Sequence, residues 1–391
     1  MLKIKSKMKK KLKIVIDATP LLKNLTGIGY VTYIYAKSLE KCSKCSYFYV
    51  WFWSNELRKR ALGGFEGKVN FIKKYLPRPY MVTHSIKTLI FNIGLFVKKP
   101  DLVFQPNYNI FKTYKKFPTV IMVHDLSHIR YPSFHPDDRV DYFNKMLDYS
   151  IQNSTKVMTI SKFTKQEMID LGMCKEENIE VIYNGVSSKF KPLKFHKNSE
   201  QFFTKYKINA KGYILFVGTF EPRKNLNLLL KAYIQYIQVV EKPLDLVLVG
   251  TIGWGEEHFD RELQEALKFP SVKRLGYLDD CELRLVYAGA KMFVFPSFYE
   301  GFGLPPLEAM ASGTAVIASN TSSIPEVVED AGILINPDDE KTLLENIIRL
   351  DTDKNYREDL ERKGIHQAKK FNWDDSSKKL YELFESIVNE K

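Results

Sequence analysis

Glu300 and Glu308 stand at the two ends of one short stretch, FYEGFGLPPLEAMASGTAVIAS (298–319), with seven residues between them. A carboxylate can accept hydrogen bonds from two adjacent hydroxyls, so two of them across a turn suit two polyol groups of one bound molecule. Gly301 and Gly303 let the backbone come close to a ligand and leave its amides free to donate. Pro305 and Pro306 suit the first turn of a helix, which places Glu308 in that turn; an acid there also fits simple complementarity to the helix dipole. A second stretch, TFEPRKN (219–225), brings Arg223 and Lys224 just before Asn225, an N-cap for the helix LNLLLKAYIQYI. Two cations beside a helix N-terminus favour a diphosphate, Arg gripping two oxygens and Lys adding a mobile point charge; a solvated basic turn is the plainer reading. Diphosphate at one loop and hydroxyls at the next suggest a nucleotide-sugar. A third candidate pair, His124 and Asp125, ends the apolar run TVIMVHD.

These residues need strands to hold them. Apolar runs recur at 13–18, 47–53, 101–105, 119–125, 156–161 and 179–185, and again at 213–218, 244–250, 272–277, 291–297, 314–319 and 332–337. Helical or polar segments separate them, which predicts α/β architecture with doubly wound parallel sheets. In such sheets ligands bind beyond the carboxyl ends of the strands, where each marked loop falls. Residues 187–211 carry much charge and no strand signal, and read as an interdomain linker with a short helix. Residues 375–391 form an amphipathic closing helix.

At 391 residues with 45% hydrophobic content, the chain predicts two globular domains. Residues 1–195 carry 34 Lys+Arg against 15 Asp+Glu, or +19, while residues 196–391 carry 25 against 31, or −6. A basic half can face nucleic acid, anionic lipid or an acidic substrate; no nucleic-acid recognition motif accompanies the charge, so none is expected as a partner. Gly27 and Gly29 hint at a dinucleotide fingerprint, but the third glycine is missing and the pair does not directly follow the strand. The basic start lacks an apolar stretch followed by small residues, so no signal peptide is expected, and no run is long enough to span a membrane. Cys42 and Cys45 form a CxxC after a helical segment, unlike a thioredoxin motif, and Cys174 and Cys281 stand apart, so no four-ligand zinc set is evident. His128 and His135 lack matched ligand spacing, and no metal is expected. Reduced cysteines point to the cytosol.

The sequence resembles the retaining glycosyltransferases of family 4, which have the two-Rossmann GT-B fold. The motifs that carry it are TGIGY, VHDLSHIRYPSFHP, ISKFTKQEM and VIYNGV in the first half. In the second half they are GTFEPRKNL, GTIGWGEE, LGYLDDCELRLVYAGA, FPSFYEGFGLPPLEAMASGTAVIASNTSSIPEV and FNWDDS. The resemblance implies an acceptor domain over 1–190, a donor domain over 191–374, and a helix at 375–391 that crosses back to the first. It implies that Arg223 and Lys224 hold the donor diphosphate, and that Glu308 binds the ribose. Glu300, with Gly301, Phe302, Gly303 and Leu304, would grip the transferred sugar. Tyr277 and Leu278 would line the base pocket, Gly27 and Gly29 would press the first-domain loop on the phosphates, and His124 and Asp125 would sit at the reacting centre. Many relatives place Arg where this chain has Thr219, which leaves more of the phosphate duty to Arg223 and Lys224. No cofactor or metal is implied, cationic side chains and helix dipoles replacing it. The nearest subgroup looks like bacterial mannosyltransferases of O-antigen or capsule synthesis. It implies GDP-mannose as donor, a glycan or lipid-linked acceptor, and a cytoplasmic enzyme peripheral on the anionic inner face of the membrane. UDP- or dTDP-sugars are the alternative donors.

Overall fold

The computed structural model describes residues 11–22, 27–49, 53–57, 79–107, 117–135, 137–195, 197–253 and 260–390. Among them, two sheets form. The first contains β1 (Lys13–Asp17), β2 (Lys44–Phe48), β3 (Trp53–Ser54), β4 (Leu102–Gln105), β5 (Thr119–Val123), β6 (Lys156–Thr159) and β7 (Ile179–Val181), in spatial order β3-β2-β1-β4-β5-β6-β7. The second contains β8 (Tyr213–Val217), β9 (Asp245–Val249), β10 (Val272–Gly276), β11 (Met292–Phe295), β12 (Ala315–Ser319) and β13 (Ile333–Ile335), in order β10-β9-β8-β11-β12-β13. All pairings are parallel except β2 with β3. The run expected as one strand at 47–53 is therefore split: β2 begins earlier, at Lys44, and Trp53 returns antiparallel beside Phe48.

The inner strands are largely apolar, as expected where helices cover both faces of a parallel sheet. Residues of β4, β5 and β11 are buried at every position. On one face of the first sheet Val15, Phe48 and Val103 pack on Phe91 and Leu95 of the helix Pro79–Lys98. The closing helix, Trp373–Asn389, sets Trp373 edge-on to Tyr35 at 5.4 Å and packs Phe384 against Phe104 of β4 at 5.3 Å. Asn372 caps it and pairs with Val186, and Ser376 Oγ donates to the Tyr183 carbonyl at 2.6 Å.

Strand order fixes where a ligand can sit. In the second sheet the winding reverses between β8 and β11, so the loops leaving these neighbours diverge to opposite faces and open a crevice. TFEPRKN leaves β8 and PSFYEGFG leaves β11. The first sheet reverses between β1 and β4 in the same way.

Candidate active site

The two loops at the second switch point meet through three charged side chains. Pro222–Lys224 form a single 3-10 turn, and the helix Leu226–Val239 follows. Arg223 Nη1 lies 3.0 Å from Glu300 Oε2 and donates to the Tyr299 carbonyl at 2.7 Å, while Nη2 reaches Glu221 Oε1 at 2.5 Å. Lys224 Nζ is 2.6 Å from Glu300 Oε1 and 4.9 Å from the centre of the Phe295 ring. Burial raises the Glu300 pKa, but Arg223 and Lys224 outweigh it and hold the carboxyl below its usual range. Burial likewise works against the Arg223 charge, and Glu300, Glu221 and Asp125 more than restore it. Asn225 is not the side-chain cap its type and position predict. It adopts a left-handed backbone (φ 52°, ψ 40°), and its amide donates instead to the carbonyls of Pro296 at 3.1 Å and Pro337 at 2.7 Å. It thus pins the cationic turn to the loops leaving β11 and β13.

A run of three small hydroxyl residues sets the glutamate loop. Thr321 Oγ1 donates to the Phe298 carbonyl at 2.9 Å, Ser322 Oγ accepts from the Glu300 amide at 2.9 Å, and Ser323 Oγ donates to the Glu300 carbonyl at 2.8 Å. Gly303 takes φ +108°, a turn that side chains resist, and the helix begins at Leu304. Glu308 is therefore the fifth residue of this helix, just past the first turn in which the sequence predicts it, and no acid occupies that turn. It is partly exposed, yet burial of its carboxyl lifts the pKa to about 7 against the restraint of Lys189 and Tyr287. Phe302 is buried between Tyr183 (6.0 Å) and Phe371 (5.6 Å). Beyond β10, Leu278 is 4% exposed, whereas Tyr277 is 51% exposed and presents its ring to solvent.

The first domain closes directly on this loop. A Cβ on Gly301 would lie 1.8 Å from the His124 carbonyl oxygen, so only glycine fits between the loop and the end of β5. His124 is buried and pushed toward its neutral form by burial; its Nε2 lies 2.9 Å from the Pro106 carbonyl, which can only accept, so Nε2 carries the proton. Asp125 accepts from Ser127 N at 3.0 Å and Ser127 Oγ at 2.8 Å; burial pushes its pKa up, and Arg223 with these donors brings it below the usual range. The structure thus brings His124, Asp125, Arg223, Lys224 and Glu300 to one point. Gly27 is the N-cap of the helix Ile28–Leu39, with Gly29 buried in its first turn; residues 23–26 of that loop lie outside the described residues.

Three further residues tie the domains together. The Tyr299 hydroxyl accepts from Leu126 N at 3.1 Å and donates to Glu167, which pairs with Arg130 at 2.6 Å. Glu326, from the second domain, accepts from Lys162 N (3.0 Å) and Phe163 N (2.6 Å) at the start of the helix Lys162–Asp170 and from the Tyr183 hydroxyl at 2.9 Å. Sequence reasoning assigned none of these a role, although Glu167 lies in ISKFTKQEM and Glu326 in SSIPEV. Among the described residues no group of three or more His, Cys, Asp or Glu side chains could hold a metal ion. Burial pushes the Cys42 and Cys45 thiols up, away from reactivity.

Residues 27–190 match the family described as Glycosyltransferase Family 4, and residues 198–367 match Glycosyl transferases group 1. The chain is 35% identical over 266 residues to O-antigen chain mannosyltransferase B of Escherichia coli, covering 68% of this chain and 70% of that one. It is 31% identical over 228 residues to O-antigen chain mannosyltransferase RfbU of Salmonella typhimurium, 57% of this chain and 58% of that one. Among solved structures, sucrose-phosphate synthase of Thermosynechococcus elongatus superposes with TM-score 0.77 at 20% identity, covering 97% of this chain and 100% of that one. WaaG, a glycosyltransferase of lipopolysaccharide biosynthesis, superposes at 0.70 and 14%, over 95% and 99%. HepE of Anabaena, solved with UDP and glucose, does so at 0.73 and 18%, over 96% and 100%. With both halves matched and a relative of this identity and coverage, the chain belongs to the group 1, family 4 glycosyltransferases of GT-B fold.

Proposed function

We propose that the protein transfers a mannosyl group from GDP-mannose to a hydroxyl of a glycan or lipid-linked acceptor in cell-surface polysaccharide synthesis, with retention and without a metal. The observation that carries the reading is the buried triad of Arg223, Lys224 and Glu300 at the switch-point crevice. The relatives that act on O-antigen chains support the choice of sugar and product class. Arg223 and Lys224 stabilise the negative charge that develops on the departing diphosphate, helped by the N-terminus of the helix Leu226–Val239. The bond from the anomeric carbon to the phosphate oxygen breaks, and its electron pair leaves with the diphosphate. The acceptor hydroxyl oxygen bonds to the same face of that carbon and gives its proton to the departing phosphate oxygen. Glu300 has both oxygens engaged by cations, which orients it for sugar hydroxyls and argues against a nucleophilic role. Glu308 holds the ribose, and Tyr277 offers its exposed ring to the base.

The test is a screen of GDP-mannose, UDP-glucose, UDP-N-acetylglucosamine and dTDP-rhamnose by donor hydrolysis and thermal shift. A response to GDP-mannose alone is the expected result. A response to a UDP-sugar moves the assignment to that donor, and none from any nucleotide-sugar overturns the reading.

The acceptor's membrane also has a place to dock. The helix Pro79–Lys98 exposes Ile86, Leu89, Ile93, Phe96 and Val97, between 42% and 78%, at spacings that fall on one face. It carries Lys87 and Lys98 and no acid, so an anionic bilayer surface is the occupant we assign. Residues 58–78 of this basic and apolar stretch lie outside the described residues. Among those described, no helix is long and apolar enough to cross a membrane. Sedimentation with anionic and neutral vesicles tests the assignment. Enrichment on anionic vesicles, lost in Ile93→Glu, is expected, and equal recovery with both kinds would overturn it.

A further inference from the structure

Tyr299 stands immediately before Glu300, yet its side chain is seated in the first domain. The residue is 2% exposed, and its ring lies 5.8 Å from the rings of Tyr131 and Phe163, both of that domain. Its hydroxyl accepts from Leu126 N at 3.1 Å and donates to Glu167 Oε2, so it bonds in both directions across the domain boundary. Glu167 is itself buried, and its other oxygen, Oε1, takes Arg130 Nε at 2.6 Å.

Three consecutive residues of the loop thus face three different neighbours. Tyr299 enters the first domain, and Glu300 takes Arg223 and Lys224. Gly301 presses on the His124 carbonyl, where a Cβ would come within 1.8 Å. Tyr299 also reaches the cations directly, because its carbonyl accepts from Arg223 Nη1 at 2.7 Å. On its far side, the Leu126 amide that it holds follows Asp125 in the chain. One residue therefore connects Arg223 to the strand end that carries His124 and Asp125. Its bond to Glu167 is charge-assisted, and burial leaves no water to replace it.

We propose that Tyr299 and Glu167 are a positioning pair for glycosyl transfer, setting the second-domain loop of Glu300 at a fixed distance from the end of β5. The proposal rests on the reading that places the donor diphosphate at Arg223 and the transferred sugar at Glu300. Transfer needs groups from both domains around one anomeric carbon, and a displacement of about 1 Å can cost about a hundredfold. Packed rings tolerate sliding, whereas a hydroxyl that must meet a carboxylate and an amide at once has one register. The competing explanation is that the pair only strengthens the interface. Glu326 offers the control, since it crosses the same boundary from outside the loop, to Lys162 N and Phe163 N.

Tyr299→Phe keeps the ring and removes the hydroxyl, Glu167→Ala removes its acceptor, and Glu326→Ala opens the interface elsewhere. If Glu167→Ala does not fold, Glu167→Gln keeps the volume and takes its place. Hydrogen exchange, read by mass spectrometry on peptides spanning 124–128 and 298–303, needs no donor. Both peptides should exchange faster in Tyr299→Phe and in the Glu167 variant, and unchanged exchange overturns the proposal. The second readout joins calorimetry with GDP and UDP to initial rates with GDP-mannose, UDP-glucose, UDP-N-acetylglucosamine and dTDP-rhamnose. We expect kcat to fall about ten- to a hundredfold in each single variant, with nucleotide affinity and donor KM held. The double variant should lose no more than the worse single one, because the two side chains act as a unit. Glu326→Ala should lower the urea midpoint and keep kcat. Full kcat in Tyr299→Phe, losses that multiply in the double variant, or an equal fall of kcat in Glu326→Ala overturns the proposal. If wild type turns over none of the four nucleotide-sugars, the donor reading itself falls. If wild type turns one over and Tyr299→Phe matches it, only the role of the pair falls.

Discussion

Glu300 lies buried in the loop leaving β11 and Glu308 lies partly exposed in the helix that follows it, and their surroundings drive them apart. Glu300 is clamped by Arg223 and Lys224 and lies below the ordinary carboxylate range; burial lifts Glu308 to about 7, and Lys189 and Tyr287 offset it only in part. Residue type and spacing are the same in kind at both ends. Ion pairing dominates at one and desolvation at the other. Two carboxyls tuned in opposite directions can serve different parts of one substrate, which in the proposed site are the transferred sugar for Glu300 and the ribose for Glu308.

The largest effect should come from removing the clamp. Arg223→Ala leaves buried Glu221 without a cation, and Glu300 with Lys224 alone, among the described residues. Breaking a buried pair from one side costs about 3–5 kcal/mol, so the urea midpoint should fall steeply. An unchanged midpoint would mean the clamp is an accessory to the fold and would remove half of the comparison. Next comes Glu300→Ala, which should cut turnover about a hundredfold by letting the anomeric carbon drift about 1 Å, while nucleoside diphosphate binding holds. Initial rates and calorimetry on the same preparation separate the two. Turnover preserved in this variant would take Glu300 out of the site.

Much of this geometry is legible in the sequence because the loops leaving neighbouring strands are bound to meet. TFEPRKN and YEGFG each follow an apolar run, and doubly wound topology sets those runs side by side at the reversal. What one sequence does not show is which partners a charge chooses across long separations. Tyr299 and Glu167 are 132 residues apart, and Lys162 and Glu326 are 164 apart, with no periodicity linking either pair. Asn225 misleads for a local reason: the cap pattern gives the right residue type, but the left-handed backbone aims its amide at Pro296 and Pro337. The split at 47–53 likewise depends on a contact the run of apolar residues does not reveal, Trp53 lying antiparallel to Phe48 with its ring 5.2 Å away. Lys189 escapes a reading by composition because a linker charge looks solvated until Asp280 and the rings of Tyr30 and Phe190 are seen around it.

Glu308→Ala should be the next effect down, sharpening the division of labour. Losing charge-assisted hydrogen bonds to the ribose costs about 1.5–3 kcal/mol, roughly ten- to a hundredfold in affinity, for both the diphosphate and the intact donor. The contrast with Glu300→Ala lies in the ratio: nucleotide affinity falls in one variant and turnover in the other. Equal losses of nucleotide affinity in the two would show that the carboxyls do not divide ribose from sugar.

The smallest effect is the most specific to the comparison, because only one of the two carboxyls titrates near neutrality. Glu308 is raised from 4.5 to about 7. Between those values the unfolded chain has lost the proton and the folded chain keeps it, so this group makes stability fall as pH rises through the window. The destabilisation is absent below 4.5 and complete above about 7. Glu308→Gln removes it, so the variant should match wild type in acid and exceed it at alkaline pH. Nucleotide affinity runs the other way. The carboxylate is the form that accepts from both hydroxyls, so wild-type affinity should climb severalfold as pH rises through about 7, while Glu308→Gln stays flat. Glu300 is held below 4.5 by its cations and is already ionised throughout this range, so Glu300→Gln should keep the wild-type profile in shape. Buried Asp17, raised to about 6, also titrates in the folded chain, and taking the difference between each variant and wild type cancels it. Urea midpoints and nucleotide calorimetry across the range supply both curves. A Glu308→Gln difference curve without slope would place the neutral titration elsewhere and undo the contrast between the two glutamates.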